Sequence, residues 1–233
     1  MVSPAEQATI VAIDGPSGVG KSTAARMLAA RLDVPYLETG AMYRARGLKA
    51  LAAGIDPDDS EAVGNLLGEL DLDVDFTADN EIIVLLDGRD VRRDIRGVEV
   101  SNATSRVSVH PAVRQFMVQL QRDWSLRRGA VVEGRDIGTR VFPDTPFKFF
   151  FEAAPEVRAA RRFEQLRQAG DAPSLAEVER QVRERDVRDS TRTESPLRRD
   201  DSYVVIDTGL AGPEEVVDQM LRVISARRPA PGC

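Results

Sequence analysis

The sequence predicts an α/β domain, a five-stranded parallel sheet with helices on both faces. Three observations carry this. Five short apolar segments alternate with longer segments of helical composition, as expected of strands buried on both faces of a parallel sheet. The first of these runs straight into Gly15-Pro16-Ser17-Gly18-Val19-Gly20-Lys21-Ser22, which fits G-x-x-x-x-G-K-[ST] and is followed by a helical segment. Polar and charged clusters then recur just after predicted strand ends, the edge where open α/β sheets take their ligands.

The first strand, Ile10-Val11-Ala12-Ile13, is apolar and largely β-branched. After the glycine loop, Ser22 to Leu32 is rich in Ala, Leu, Met and Arg and reads as a helix. Val34-Pro35-Tyr36-Leu37 reads as a short second strand. It leads into Glu38–Arg44, where a helix begins that runs to about Ala53, with Gly54 as its C-cap. A short helix is expected near Ser60–Leu70, capped by Ser60.

From about Leu72 to Val100 the character changes. Val74 and Phe76 alternate with acids, Ala78-Asp79-Asn80 reads as a turn, and Ile82–Leu86 reads as a strand. Asp87-Gly88 makes a second turn before Arg89-Asp90-Val91. This predicts a small antiparallel hairpin or meander set apart from the parallel sheet.

Pro111–Arg128 has helical periodicity. Ala130-Val131-Val132 is the third strand and enters Glu133–Thr139, and Phe147–Phe151 is the fourth. A helix from Pro155, a residue suited to the first turn, carries Arg158, Arg161, Arg162 and Arg167 and stops at Gly170. Ser174-Leu175-Ala176-Glu177 is a capping box opening a helix with Arg180, Arg183, Arg185, Asp186, Arg188 and Asp189. Tyr203–Ile206 is the fifth strand and Pro213–Arg227 the closing helix. Residues 1–8 are expected to fray and 228–233 to form a disordered tail.

With 233 residues, 42% of them hydrophobic, the chain suits one large α/β domain with a sizeable core. A net charge of −6 argues against a general nucleic-acid-binding surface. Cys233 is the sole cysteine and His110 the sole histidine, so an intramolecular disulfide is excluded. A zinc site built on His and Cys, or a Ser-His-Asp triad, has little to draw on. No apolar run approaches the roughly 18 residues of a membrane span, and no secretory signal is visible, so a cytoplasmic protein without a membrane partner is expected.

The glycine loop carries the first chemistry. Glycines let backbone wrap a phosphate, successive N–H groups point at the anion, and the following helix N-terminus adds its dipole. Gly15 to Ser22, with Thr23 behind them, are therefore the candidate ATP-binding residues. Lys21 reaches for the β- and γ-phosphates and the Ser22 hydroxyl for Mg²⁺. Only three of the 32 Lys and Arg residues are lysine, Lys21, Lys49 and Lys148, and one of them stands in this loop. None lies in an Asn-Lys-x-Asp setting, which a guanine-reading switch would need. Asp14 and Glu133, at predicted strand ends, are candidates to order Mg²⁺ waters or to cap local turns.

Four segments together resemble the signature segments of bacterial cytidylate kinases. They are Ile13-Asp14-Gly15-Pro16-Ser17-Gly18, Thr39-Gly40-Ala41-Met42-Tyr43-Arg44, Glu133-Gly134-Arg135-Asp136-Ile137-Gly138-Thr139 and Arg188-Asp189-Ser190-Thr191-Arg192. The resemblance covers nearly the whole chain, with Glu38 where the family commonly has Asp. It implies a P-loop core over 1–63 and 101–227, a β-containing insert for a nucleoside monophosphate over 64–100, and an arginine-rich lid over about 160–176. It implies a monomeric kinase using ATP, Mg²⁺ and CMP or dCMP. Arg44, Arg135 and Arg192 would hold the acceptor phosphate, and Arg185 and Asp189 the ribose. Ser105, Arg114 and Asp136 would read cytosine, with Thr39 and Tyr43 lining the same side. Lys21 with Arg158, Arg161 and Arg162 would act on the transferring phosphoryl. A shikimate- or gluconate-type kinase is the alternative enzyme, and a regulatory nucleotide switch the alternative class.

Overall fold

The computed structural model describes residues 9–68, 71–77, 82–127, 129–168, 170 and 173–227. The expected N-terminal tail, the Ala78–Asn80 turn and the C-terminal tail lie outside these residues. Five strands form a parallel sheet in the order β2-β6-β1-β7-β8. They are β1 (Ile10–Asp14), β2 (Tyr36–Glu38), β6 (Ala130–Gly134), β7 (Phe147–Glu152) and β8 (Val204–Asp207). β1 is central, with Ala12 level with Val132 of β6 and Lys148 of β7. Every residue of β1 and β6 is buried, which explains why both read as continuous apolar runs.

The two faces of the sheet hold separate cores. On one face, Val11, Ile13, Phe149 and Phe151 pack with α1 (Lys21–Leu32) and α8 (Pro213–Arg227). Phe149 and Phe151 are 0% exposed, and burial of each contributes about 1.5–3 kcal/mol. On the other face, Ala12, Leu37 and Val132 pack with α2 (Thr39–Ala52) and α5 (Pro111–Ser125). A small third core, Ala159, Leu166, Val178 and Val182, joins α6 (Pro155–Gln168) to α7 (Leu175–Thr191).

The expected meander is a three-stranded antiparallel sheet, β3 (Leu72–Phe76), β4 (Ile82–Leu86) and β5 (Arg89–Asp90). It shares no backbone ladder with the parallel sheet. Its inward residues Leu72, Val74, Val84 and Leu86 nevertheless join the core of Leu37 and Met42, so it is docked rather than free-standing. At its far end Phe76 stacks on Trp124 of α5, ring centroids 4.2 Å apart.

Two local expectations change. The short helix α3 (Ser60–Asn65) is capped by Asp59, not Ser60. The Asp59 carboxylate accepts from the N–H groups of Glu61 and Ala62, both at 3.0 Å, and a charged acceptor serves the helix dipole better than the neighbouring hydroxyl. α3 also stops at Asn65, short of Leu70. Sequence reading gives no helix at α4 (Val98–Val107), whose Val, Ser, Asn and Thr content is poor helix former. Tertiary packing supplies what propensity lacks. α4 lies so close on α2 that a Cβ at Gly47 would stand 2.5 Å from Thr104 Oγ1.

Candidate active site

The loop after β1 ends at α1, whose N-cap is Gly20 and whose first turn no side chain caps. Lys21 Nζ donates across the loop to the carbonyls of Gly15 at 2.8 Å and Pro16 at 2.7 Å. Burial, and then the charge of Arg135, lower the Lys21 pKa to about 7. The next residue, Ser22, donates to Glu133 Oε1 at 2.6 Å, and the Tyr36 hydroxyl donates to the same oxygen at 2.5 Å. Burial first, with Glu133 and Glu38 behind it, pushes the Tyr36 pKa well up, so the phenol stays a donor. Thr39 Oγ1 donates to the Glu133 carbonyl at 2.7 Å. β2, β6 and α1 thus converge on one carboxylate beside the phosphate loop. Thr23 is exposed.

Among the described residues, no three His, Cys, Asp or Glu side chains gather as a metal cage. Mg²⁺ characteristically takes one or two protein groups and completes its shell with waters and substrate oxygens. The Ser22 hydroxyl with the Glu133 carboxylate fits that demand. The Asp14 carboxylate is engaged differently, accepting from the N–H groups of Ile137 and Gly138 and from the Tyr203 hydroxyl.

Near Lys21 stands a group of arginines, of which Arg135 and Arg185 act on its charge. On α7, Arg185, Arg188 and Asp189 follow a three-to-four residue spacing and share one helix face, and Arg192 is the extended residue that caps its end. Asp189 Oδ2 accepts from Arg135 Nε at 2.8 Å and lies 3.9 Å from Arg185 Nε, while Oδ1 lies 3.8 Å from Arg192. Burial alone would raise the Asp189 pKa, but Arg135, Arg185 and Arg192 together hold it down at about 2. Arg185 is itself lowered to about 10 by burial and by Arg135, with Arg44 and Arg162 adding to this. Arg44 pairs with Glu38. Arg114 pairs with Asp136 at 2.6 Å, both about 5% exposed, and stands over the Tyr43 ring at 5.3 Å. Burial raises the Tyr43 pKa to about 12, against the opposing charge of Arg114.

These predicted acceptor residues therefore come together, with one exception. Ser105 is held by a different partner. Its hydroxyl instead accepts from Arg188, a residue the sequence reading did not place in the site. The regular spacing from Arg185 to Arg192 was the available signal. Glu133, Tyr36 and Glu38 also lie in the site, marked in sequence only by their place at strand ends.

The arginines of α6 are engaged within the fold. Arg158 is 3% exposed and makes a bidentate pair with Asp186, at 2.9 and 2.5 Å, and a further bond to the Ser17 carbonyl at 3.2 Å. Arg161 donates to the Thr208 carbonyl at 2.8 Å. An acidic residue 28 positions away neutralises Arg158, a pairing no local pattern displays.

A phosphate loop on the central strand, with a cluster of partly buried arginines at the same sheet edge, defines a P-loop kinase class. A family model described as cytidylate kinase matches residues 11–226. The chain is 48% identical to the cytidylate kinase of Corynebacterium glutamicum over 219 residues, 93% of this chain and 94% of that protein. It is 42% identical to that of a Geobacter species over 223 residues, 95% of each. A solved structure of an uncharacterized protein from Eubacterium ventriosum, 12% identical, shares the fold with a TM-score of 0.50 over 95% of this chain and all of its own. The chain belongs to the cytidylate kinase family. No helix among the described residues is long and apolar enough to cross a membrane.

Proposed function

We propose that this protein transfers the γ-phosphoryl group of ATP to CMP or dCMP, giving ADP and the corresponding diphosphate. One observation carries the acceptor. Arg44, Arg114, Arg135, Arg185 and Arg192 face Glu38, Asp136 and Asp189, so five guanidinium groups meet three carboxylates and two positive charges remain. Arg44 Nε, Arg185 Nε and one terminal nitrogen of Arg192 are buried donors without a hydrogen-bond partner among the described residues. Such donors call for an acceptor. A phosphate monoester dianion matches both the missing charge and the missing acceptors.

The base is read by the Arg114–Asp136 pair in this proposal. Cytosine offers an N4 donor beside N3 and O2 acceptors, which a carboxylate next to a guanidinium complements. In uracil the donor and acceptor positions at N3 and C4 are exchanged. In the reaction an acceptor phosphate oxygen forms a bond to the γ-phosphorus as the bond to the β-phosphate oxygen breaks. The acceptor is already ionised near neutral pH, so positioning and charge neutralisation are the whole task. Lys21 and the α1 N-terminus hold the donor phosphates, and Arg161 and Arg162 lie on the helix flanking them. Arg158 serves by fixing α6 and α7 to the loop. Ser22 and Glu133 would hold Mg²⁺, which when bound supplies charge neutralisation between the phosphates. Residues 64–100 are the acceptor-side insert, and 160–176 the lid that excludes water.

The test is an acceptor screen with ATP and Mg²⁺ against CMP, dCMP, UMP, AMP, GMP and shikimate. The expected result is ADP formation fastest with CMP or dCMP. Preference for shikimate or a purine nucleotide would sink the proposal, as would ATP turnover independent of any acceptor.

A further inference from the structure

Asp14 is the last residue of β1, one position ahead of the phosphate loop, yet its carboxylate is turned to the other half of the site. It is 0% exposed. Oδ1 accepts from the Ile137 N–H at 2.9 Å, and Oδ2 from the Gly138 N–H at 2.8 Å and the Tyr203 hydroxyl at 2.7 Å. Those two N–H groups follow Asp136 directly. Asp136 opens a π-helical turn over Ile137–Val141, in which Val141 donates back to the Asp136 carbonyl at 3.2 Å and Phe142 to that of Ile137 at 2.7 Å. The wide π turn leaves its first N–H groups without internal partners, and Asp14 supplies them from 123 residues away. Tyr203 completes the arrangement at close quarters. A Cβ at Gly138 would stand 2.6 Å from the Tyr203 hydroxyl, so only glycine lets the phenol reach the carboxylate.

We infer that Asp14 is a positioning residue for the acceptor, acting through Asp136 and Arg135. The role rests on the reading that this side takes a pyrimidine nucleotide. Three donors already engage both oxygens of the Asp14 carboxylate, and the hydroxyl that would hold a metal is paired with Glu133 instead. Asp14 therefore ties the donor loop to the acceptor-reading turn. The backbone that begins the phosphate loop also sets where Asp136 points.

The experiment compares wild type with Asp14→Asn, Tyr203→Phe and Asp136→Asn for kcat, KM of CMP, KM of ATP, Mg²⁺ requirement and the CMP:UMP ratio of kcat/KM. Asparagine keeps the shape but can accept only one of the two N–H groups. Asp14→Asn is expected to raise the KM of CMP about tenfold, the effect of one lost buried polar contact. It should move the CMP:UMP ratio toward that of Asp136→Asn and leave the KM of ATP and the Mg²⁺ requirement unchanged. Tyr203→Phe removes one of the three bonds and should shift the same two quantities by less. If Asp14→Asn does not fold, Tyr203→Phe decides alone by the same criteria. A raised Mg²⁺ requirement, or a fall in kcat with the KM of CMP unchanged, overturns the inference. Hydrogen exchange at Ile137 and Gly138 without nucleotide separates the two readings. Faster exchange in Asp14→Asn is expected whatever the acceptor proves to be, and unchanged exchange there defeats the anchor itself. Wild type that ignores CMP defeats the functional proposal instead.

Discussion

Asp189 and Asp14 are both buried carboxylates, and their surroundings give them opposite effects on stability with pH. Asp189 sits among three arginines that hold its pKa at about 2, below the ordinary 3.8. Its contribution is complete above pH 4 and is lost as pH falls through 2. A shift of that size corresponds to about 2 kcal/mol. The difference in unfolding free energy between wild type and Asp189→Asn should therefore shrink from pH 5 to pH 2, as followed by denaturant titration. A constant difference would show that the arginines do not act through the charge of Asp189. Asp14 is raised to about 6, by burial above all, against the backbone bonds of Gly138 and Ile137. Its neutral form favours the fold, so that contribution is present below pH 4 and is given up as pH rises through 6.

The pair Arg114–Asp136 carries the prediction on base choice. With Asp136→Asn the amide can accept from cytosine N4 or, turned over, donate to uracil O4. The CMP:UMP ratio of kcat/KM should fall roughly ten- to a hundred-fold, mainly by loss of CMP activity. Because Arg114 is left in a buried site without its counter-charge, stability should fall by about 3 kcal/mol. If the ratio holds while stability falls, the pair is structural and the base is read elsewhere.

Among the elements, the phosphate loop and its flanking strand and helix were legible because every determinant is local, from the β-branched run at Ile10 to the Lys21-Ser22 pair. The inward set on α7 was legible in part. Arg185, Asp189 and Arg192 stood out, but Arg188 did not, since only the fold brings Ser105 to it. α4 was hidden because its own residues argue against a helix and its support comes from α2. The partners of Arg158 and Asp14 lie far along the chain, so sequence could offer those side chains but not their bonds. The loop joining α6 to α7 gives the prediction at this scale. ATP with CMP should slow hydrogen exchange over residues 160–175, through Arg161 and Arg162 engaging phosphate, while Arg158, already paired, changes little. Equal exchange with and without nucleotides would make these two helices a fixed part of the scaffold.

At the scale of the whole molecule, the two faces of one sheet carry two separate cores. α1 and α8 close the face behind the donor loop, and α2, α5 and the small antiparallel sheet close the other. The small antiparallel sheet meets the rest of the protein through a continuous apolar contact, and Phe76 against Trp124 marks the end of that contact. Trp124 is the sole tryptophan in the chain. Its indole is thus a built-in optical probe of that one joint. CMP alone should change its emission if the small sheet shifts on binding, and ATP alone should leave the emission near its resting value. Stopped-flow traces would then date the acceptor-side movement separately from the phosphoryl transfer that follows, with Phe76→Leu as the variant in which the signal fades. Emission that answers to ATP and not to CMP would mean that the Phe76 joint reports on the donor half.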